Sequence, residues 1–268
     1  MFAHLTNPDP ARWHETDYLL SERGSGSCFR NVTNGGNENM KTKRIGILLS
    51  ALLLAAIAIV PCVSAYPASS YGAIYTGGLD SRITAQTAES KLSSMGYSGT
   101  YHWNDAANSA LLRMPSDQAF FFVGHGGPGF INYEQSGVTT SLTANNPGLA
   151  RISSLNPNDL KDMALAVFMG CDTSDYDSTN GNLLSTSTSM GVDTAMGFAD
   201  DITSPQVGYW SGRFWYYLDN GYSVSQATSS ADTDNIANFG YWSQGGMNSH
   251  YIQGNSNIII DPARAGVV

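Results

Sequence analysis

Charge is what this chain has least of. Lys, Arg, Asp and Glu supply 13% of its 268 residues, about half the usual quarter. The 13 basic residues are outnumbered by 22 acidic ones, for a formal charge of −9. That balance excludes nucleic acid as the partner, because phosphate recognition needs a clustered basic footprint. Cysteine is nearly as scarce. Cys28, Cys62 and Cys171 are the only three, and with no paired Cys or His spacing a zinc site has no support. No short internal repeat and no block of like charge is present. The longest uncharged apolar run, residues 45–60, falls short of the roughly 20 residues of a membrane helix. What the chain does have is 42% apolar and 11% aromatic residues, enough to fill a core, so a wholly disordered chain is ruled out. The length predicts one large domain or two small ones.

The apolar run belongs to a targeting pattern. Met40-Lys41-Thr42-Lys43-Arg44 is basic, residues 45–60 are apolar, and small Val63 and Ala65 precede Tyr66. This is the layout of a secretory signal peptide over 40–65, predicting a mature chain from Tyr66 and a secreted or extracytoplasmic location. Counting residues 61–65 reaches membrane-helix length, so an anchor through 45–65 is the alternative. Cys62 follows Pro61, which suits a lipidation site poorly. Residues 1–39 are polar and lack an apolar period, which predicts a disordered extension. Either Met40 is the true start, or 1–39 is a cytoplasmic tail. Residues 66–268 keep 7 basic and 17 acidic residues, three histidines (His102, His125, His250) and one cysteine, Cys171. A lone thiol in an exported chain forms no internal disulfide and is a candidate for reactivity.

Residues 66–268 alternate strand and helix patterns, predicting an α/β sandwich with a mostly parallel central sheet flanked by helices. Strands are expected at 72–75, 100–103, 119–123, 164–169 and 194–199, with a possible last one at 257–260. Helices are expected at 80–95, 108–114, 157–163, 183–190, 205–220 and 223–231, and a long polar loop after residue 123. Two strands are uninterrupted apolar runs, Ala119-Phe120-Phe121-Phe122-Val123 and Ala164-Leu165-Ala166-Val167-Phe168-Met169. Such runs suit strands buried on both faces. The first exits into Gly124-His125-Gly126-Gly127 and the second into Gly170-Cys171-Asp172-Thr173. In open parallel sheets functional groups gather beyond the carboxyl ends of the strands. Adjacent strands therefore place His125 and Cys171 on one rim. An imidazole there can take the thiol proton and make a nucleophile. The glycines beside it let a substrate backbone approach and leave amide N–H groups free to face it.

These motifs resemble the caspase-like cysteine peptidases, the superfamily of caspases, legumain, gingipains, clostripain and the CHAT domains. The resemblance is carried by the apolar block ending in His-Gly and the later block ending in Cys. Leu111-Leu112, Pro115 and Asp117 before the histidine strand, Cys171-Asp172-Thr173, and the stretch from Phe214 to Ala227 with Gly221-Tyr222-Ser223-Val224 add to it. It spans residues 72–231. Its motifs lie closest to CHAT and gingipain-like domains, although Gly170 stands where many members have Ala. The resemblance implies a caspase-like three-layer sandwich and an exported cysteine endopeptidase acting on polypeptides. It implies His125 as general base, Cys171 as nucleophile and the N–H groups of Gly126 and Cys171 as the oxyanion hole. A catalytically inactive caspase-like module that binds protein is the alternative. Asp172, Asp200 and Asp201 follow the predicted strands. If they wall the cleft they favour Arg or Lys before the scissile bond; otherwise they are solvated loop residues or caps. No metal or cofactor is expected. The run Asp172, Asp175, Asp177 is read as a cap and solvated loop, with calcium the weaker reading because its spacing departs from the EF-hand loop. Membrane contact is expected only if the signal segment is retained. His102 and His250 are read as structural or surface residues.

Overall fold

Ala119–Val123 (β3) and Leu165–Met169 (β8) are buried along their whole lengths and pair in parallel, from Ala119 opposite Leu165 to Val123 opposite Met169. Their side chains alternate between two cores, as the two-residue period of a strand requires. Phe121, Val123, Val167 and Met169 face one core, while Phe120, Phe122, Ala166 and Phe168 face the other. A strand covered on both faces has no use for polar residues, which is why these two runs are continuous. The computed structural model that shows this describes residues 66–260 and residue 262, all within the unit Pro61–Val268. The expected extension 1–39 and signal segment 40–65 lie outside the described residues.

The central sheet adds Tyr66–Tyr71 (β1), Tyr97–His102 (β2), Thr194–Phe198 (β9) and His250–Gly254 (β10), in the order β10-β9-β8-β3-β1-β2. All neighbours are parallel except β10, which runs antiparallel to β9. From β1 the chain adds β2 on one side and β3, β8 and β9 on the other. The order reverses between β1 and β3, and the crevice beyond such a reversal is where open α/β sheets bind ligands.

One face is covered by helices Arg82–Ser94 (α1), Gln206–Asp219 (α4) and Val224–Phe239 (α5), through Ala85, Ala88, Leu92, Trp210, Phe214 and Trp215. Ser223 starts α5 with a capping box. Its hydroxyl accepts from Gln226 N and its own N–H donates to Gln226 Oε1. The other face is covered by Ala107–Arg113 (α2), Leu183–Ser189 (α3) and a second sheet. The result is the expected three-layer sandwich. Among the described residues no helix is long and apolar enough to cross a membrane.

Four elements depart from expectation. The first strand is 66–71 rather than 72–75: Ser69 and Ser70 make it look polar, yet both are buried in the sheet. The polar loop after residue 123 is a second sheet of Gly126–Gly127 (β4), Phe130–Gln135 (β5), Val138–Thr143 (β6) and Ala150–Arg151 (β7). Only Ile131 and Tyr133 of β5 and Leu142 of β6 bring it an apolar face, and Thr and Ser carry the rest of the pairing. Residues 157–163 form turns and no helix. The last strand is 250–254, an edge strand whose pairing with β9, Tyr251 opposite Gly197, spans more than 50 positions of sequence.

Asp117, just before β3, is 5% exposed, and its Oδ2 has no hydrogen-bond partner among the described residues. Burial pushes its carboxyl up to about 6, against the pull of the Ser69 hydrogen bond and Arg113. The folded state thus holds this proton more tightly than the unfolded chain does. The resulting stability is fully present below about pH 4 and is lost as pH rises through about 6. Asp117→Asn should therefore stabilise the protein at pH 8 by on the order of 2 kcal/mol. The gain should fade below about pH 4. Urea unfolding of both proteins at the two pH values checks this.

Candidate active site

The register of β3 and β8 fixes the site. Val123 lies opposite Met169, and His125 and Cys171 stand two residues beyond these partners on neighbouring strand ends. Gly124 N donates to Met169 O at 3.0 Å, tying the two exits together. The turns then approach closely enough to favour glycine. A Cβ on Gly170 would sit 3.1 Å from Gly124 O, Gly126 Cα and Gly126 N, and a Cβ on Gly124 would overlap the Tyr75 phenol. Alanine at position 170 would need the Gly126 backbone to give by a few tenths of an ångström.

His125 is exposed and Cys171 half-buried. Among the described residues no hydrogen bond joins imidazole to thiol. Such bonds commonly tighten only with substrate bound. The Cys171 Sγ contacts Ile202 O at 3.9 Å. Burial pushes the thiol above its ordinary value. The Asp201 and Asp172 carboxylates push the same way, and only the backbone of Ile202 opposes them. The thiol is therefore protonated at neutral pH and needs a base to become a nucleophile.

Tyr75 supports His125, a role that nothing in the sequence pattern shows. Its ring packs edge-on against the imidazole, centroids 4.8 Å apart at 71°. Its hydroxyl donates to Asn132 O at 2.8 Å, and Asn132 N donates to His125 O at 2.9 Å. Burial drives the Tyr75 phenol well above its usual range, so it stays a neutral donor. Thr173 supports the Cys171 turn. Its buried hydroxyl faces Phe168 O at 2.6 Å and Gly170 O at 3.1 Å, and accepts from Phe198 N at 3.1 Å. It binds the ends of β8 and β9 to the turn between them.

Two backbone donors at this rim are unspent. The Asn132-to-His125 bond makes Gly126 and Ile131 a non-hydrogen-bonded pair of the antiparallel ladder, so the ladder does not use Gly126 N–H. Cys171 N–H has no acceptor among the described residues.

Asp172, Asp200 and Asp201 do come together. Asp172 N donates to Asp200 O at 3.4 Å, and Asp172 holds a left-handed φ of 52°, a conformation Asp tolerates better than most residues. Its carboxyl is raised first by burial and then by Asp201, Asp175 and Asp200. Asp177, further along the acidic run, accepts from Thr179 N at 2.9 Å and Asn180 N at 2.7 Å, a local turn. Among the described residues no three His, Cys, Asp or Glu side chains gather as a metal site. A cavity of about 180 Å³ opens beside Cys171, lined in part by Gly124, Met169 and Ile202. None of the three carboxylates lines it.

The other two histidines serve the frame. His102 stacks on Tyr71 at 4.9 Å, and His250 Nε2 meets Asp232 Oδ2 at 2.8 Å while Trp210 Nε1 donates to Asp232 Oδ1 at 2.7 Å.

No protein-family model matches the chain, and no curated protein sequence matches it. Among solved structures it is similar to the Arg-specific cysteine proteinase gingipain R, with TM-score 0.56 and 8% identity over 73% of this chain and 47% of that one. It is similar to the same degree to the complex of Porphyromonas gingivalis RgpB pro- and mature domains, with TM-score 0.54 and 8% identity over 72% and 47%. The chain thus spans about half the length of these gingipain chains. The separase–securin complex of Saccharomyces cerevisiae aligns over 78% of this chain and 13% of that one, with TM-score 0.46 and 17% identity. The gingipain likeness, at this identity, shows the architecture: the chain has a caspase-like fold.

Proposed function

We propose that this protein is a cysteine endopeptidase of the caspase-like kind, acting outside the cytoplasm after removal of the 40–65 signal. The observation that carries the reading is the placement of His125 and Cys171 at register-matched exits of two neighbouring parallel strands. In the proposed reaction His125 takes the Cys171 proton and the thiolate attacks the substrate carbonyl carbon. The carbonyl oxygen becomes an oxyanion facing the free N–H groups of Gly126 and Cys171. Protonated His125 then gives its proton to the leaving amine, and water, deprotonated by His125, hydrolyses the acyl-enzyme. Tyr75 and Thr173 act as positioning residues, one under the imidazole and one behind the thiol turn.

The preference for Arg or Lys rests on Asp172, Asp200 and Asp201. We assign their field to drawing basic peptide segments toward the rim, outside the adjoining cavity, since a wall of one sign raises the local concentration of the other.

The test is covalent labelling. A peptidyl chloromethylketone or acyloxymethylketone should modify Cys171 much faster than it modifies a free cysteine, and His125→Ala should abolish the rate advantage. The expected contrast is large because the thiol alone is held protonated by its surroundings. Labelling at free-thiol rate in the unaltered protein, with no peptide cleavage, would favour the inactive binding module.

A further inference from the structure

We infer that the cavity beside Cys171 is the primary side-chain pocket and that it takes an apolar residue, not a cation or a carboxylate. This rests on the peptidase reading and names the substrate class for that site. The cavity joins three parts of the chain that meet only in the fold: residues 79–84 ahead of and in α1, the ends of β3 and β8, and residues 202–208 leading into α4. It lies one residue away from the nucleophile: Ile202 is part of its lining, and the Ile202 carbonyl oxygen lies 3.9 Å from Cys171 Sγ. At about 180 Å³ it is smaller than the several hundred Å³ of a pocket for a whole small-molecule ligand, and suits one side chain.

Its walls decide the chemistry. Leu79, Val123, Met169, Ile202, Pro205 and Val207 are apolar, and Val123 and Met169 are almost fully buried. Of the polar residues that line it, Asp80 and Ser81 are already engaged, and Thr84 and Ser204 offer only neutral hydroxyls. Asp80 binds Arg82 through both carboxylate oxygens, Oδ1 to Nε at 2.9 Å and Oδ2 to Nη2 at 2.8 Å. Ser81 Oγ donates to Val123 O at 2.7 Å and accepts from Ala73 N at 3.0 Å. A substrate guanidinium or ammonium would have to share Asp80 with Arg82, which already neutralises it and holds both carboxylate oxygens. A substrate carboxylate would find no free cation. An apolar side chain brings no charge to be paired and removes its own surface from water. The carboxylates beside the thiol stay outside the cavity, so they select for charge at neighbouring substrate positions instead.

Gly208 supplies the probe of size. It sits in α4 with a normal helical backbone, and a Cβ there has Thr84 Oγ1 as its nearest neighbour at 3.6 Å, so a larger residue fits the helix and projects into free space. The experiment uses Cys171→Ala protein and fluorescent acetylated tetrapeptides that differ only in the last residue, with binding read by polarisation. Leu and Met peptides should bind about tenfold or more tighter than Arg, Lys and Asp peptides. Adding Gly208→Leu should remove that advantage for Leu and Met while sparing the Ala peptide. Tighter binding of Arg or Lys, lost in Asp80→Asn, would overturn the inference, as would equal binding across the set. Hydrolysis by the unaltered protein is measured in parallel. Selective apolar binding without hydrolysis would support the pocket and sink the peptidase reading; hydrolysis after Arg, Lys or Asp would do the reverse.

Discussion

Cys171→Ala is expected to lower peptide hydrolysis by about a thousandfold or more, because it removes the proposed nucleophile. The fold should barely respond. The side chain is half-buried at the end of a strand, and its polar contacts are a long one to Ile202 O and one with the Asp201 carboxylate. Thermal stability should change by no more than about 1 kcal/mol. His125→Ala should cost nearly as much activity. A thiol pushed up by burial and by Asp201 and Asp172 keeps its proton unless a base removes it. The double variant should be little worse than either single one, since residues acting as a unit lose their effect together. Steady-state kinetics on a peptide that the unaltered protein cleaves, alongside melting curves, decides the matter. Substantial hydrolysis by either single variant would exclude the dyad.

Phe121→Ala should show the opposite pattern. Phe121 is fully buried on the helical side of β3, with its ring edge-on to Trp215 at 5.4 Å and 90°. Removing it leaves a cavity in the layer between sheet and helices, at a cost of about 3–5 kcal/mol. For a domain of this size that is a fall of roughly 6–20 °C in Tm. The exit of β3 carries His125 on other supports: Gly124 N to Met169 O, and Tyr75 under the imidazole. Activity per folded molecule at 25 °C should therefore stay within severalfold of the unaltered protein. A melting temperature that hardly moves would mean that this face of the sheet is not packed as described. Together the two substitutions separate what holds the fold from what does the chemistry, although the residues are only 50 positions apart in sequence and lie on neighbouring strands.

Much of this protein is written in local pattern. The five-residue runs at 119–123 and 165–169 announce strands covered on both faces, because only such strands can be apolar at every position. The glycines after them announce turns, and the placement of His125 and Cys171 just beyond follows from counting. The helices at 82–94, 183–189 and 206–219 likewise match the expected ranges within a residue or two. Tertiary structure alone decided the rest. Tyr66–Tyr71 is a strand because its backbone pairs with both β2 and β3, which buries Ser69 and Ser70 although their polarity argues against it. The second sheet pairs Thr and Ser rows that carry little local signal. Tyr75 comes under His125, and residues 79–84, 123–124, 169 and 202–208 enclose one cavity, only because strand order brings distant segments together. Asp172, Asp200 and Asp201 share a rim, yet which carboxylates face a pocket and which face water depends on how the turns bend. A hydrophobic period is a property of neighbours along the chain, whereas a cavity wall or a positioning contact is a property of neighbours across it, and only folding sets the latter.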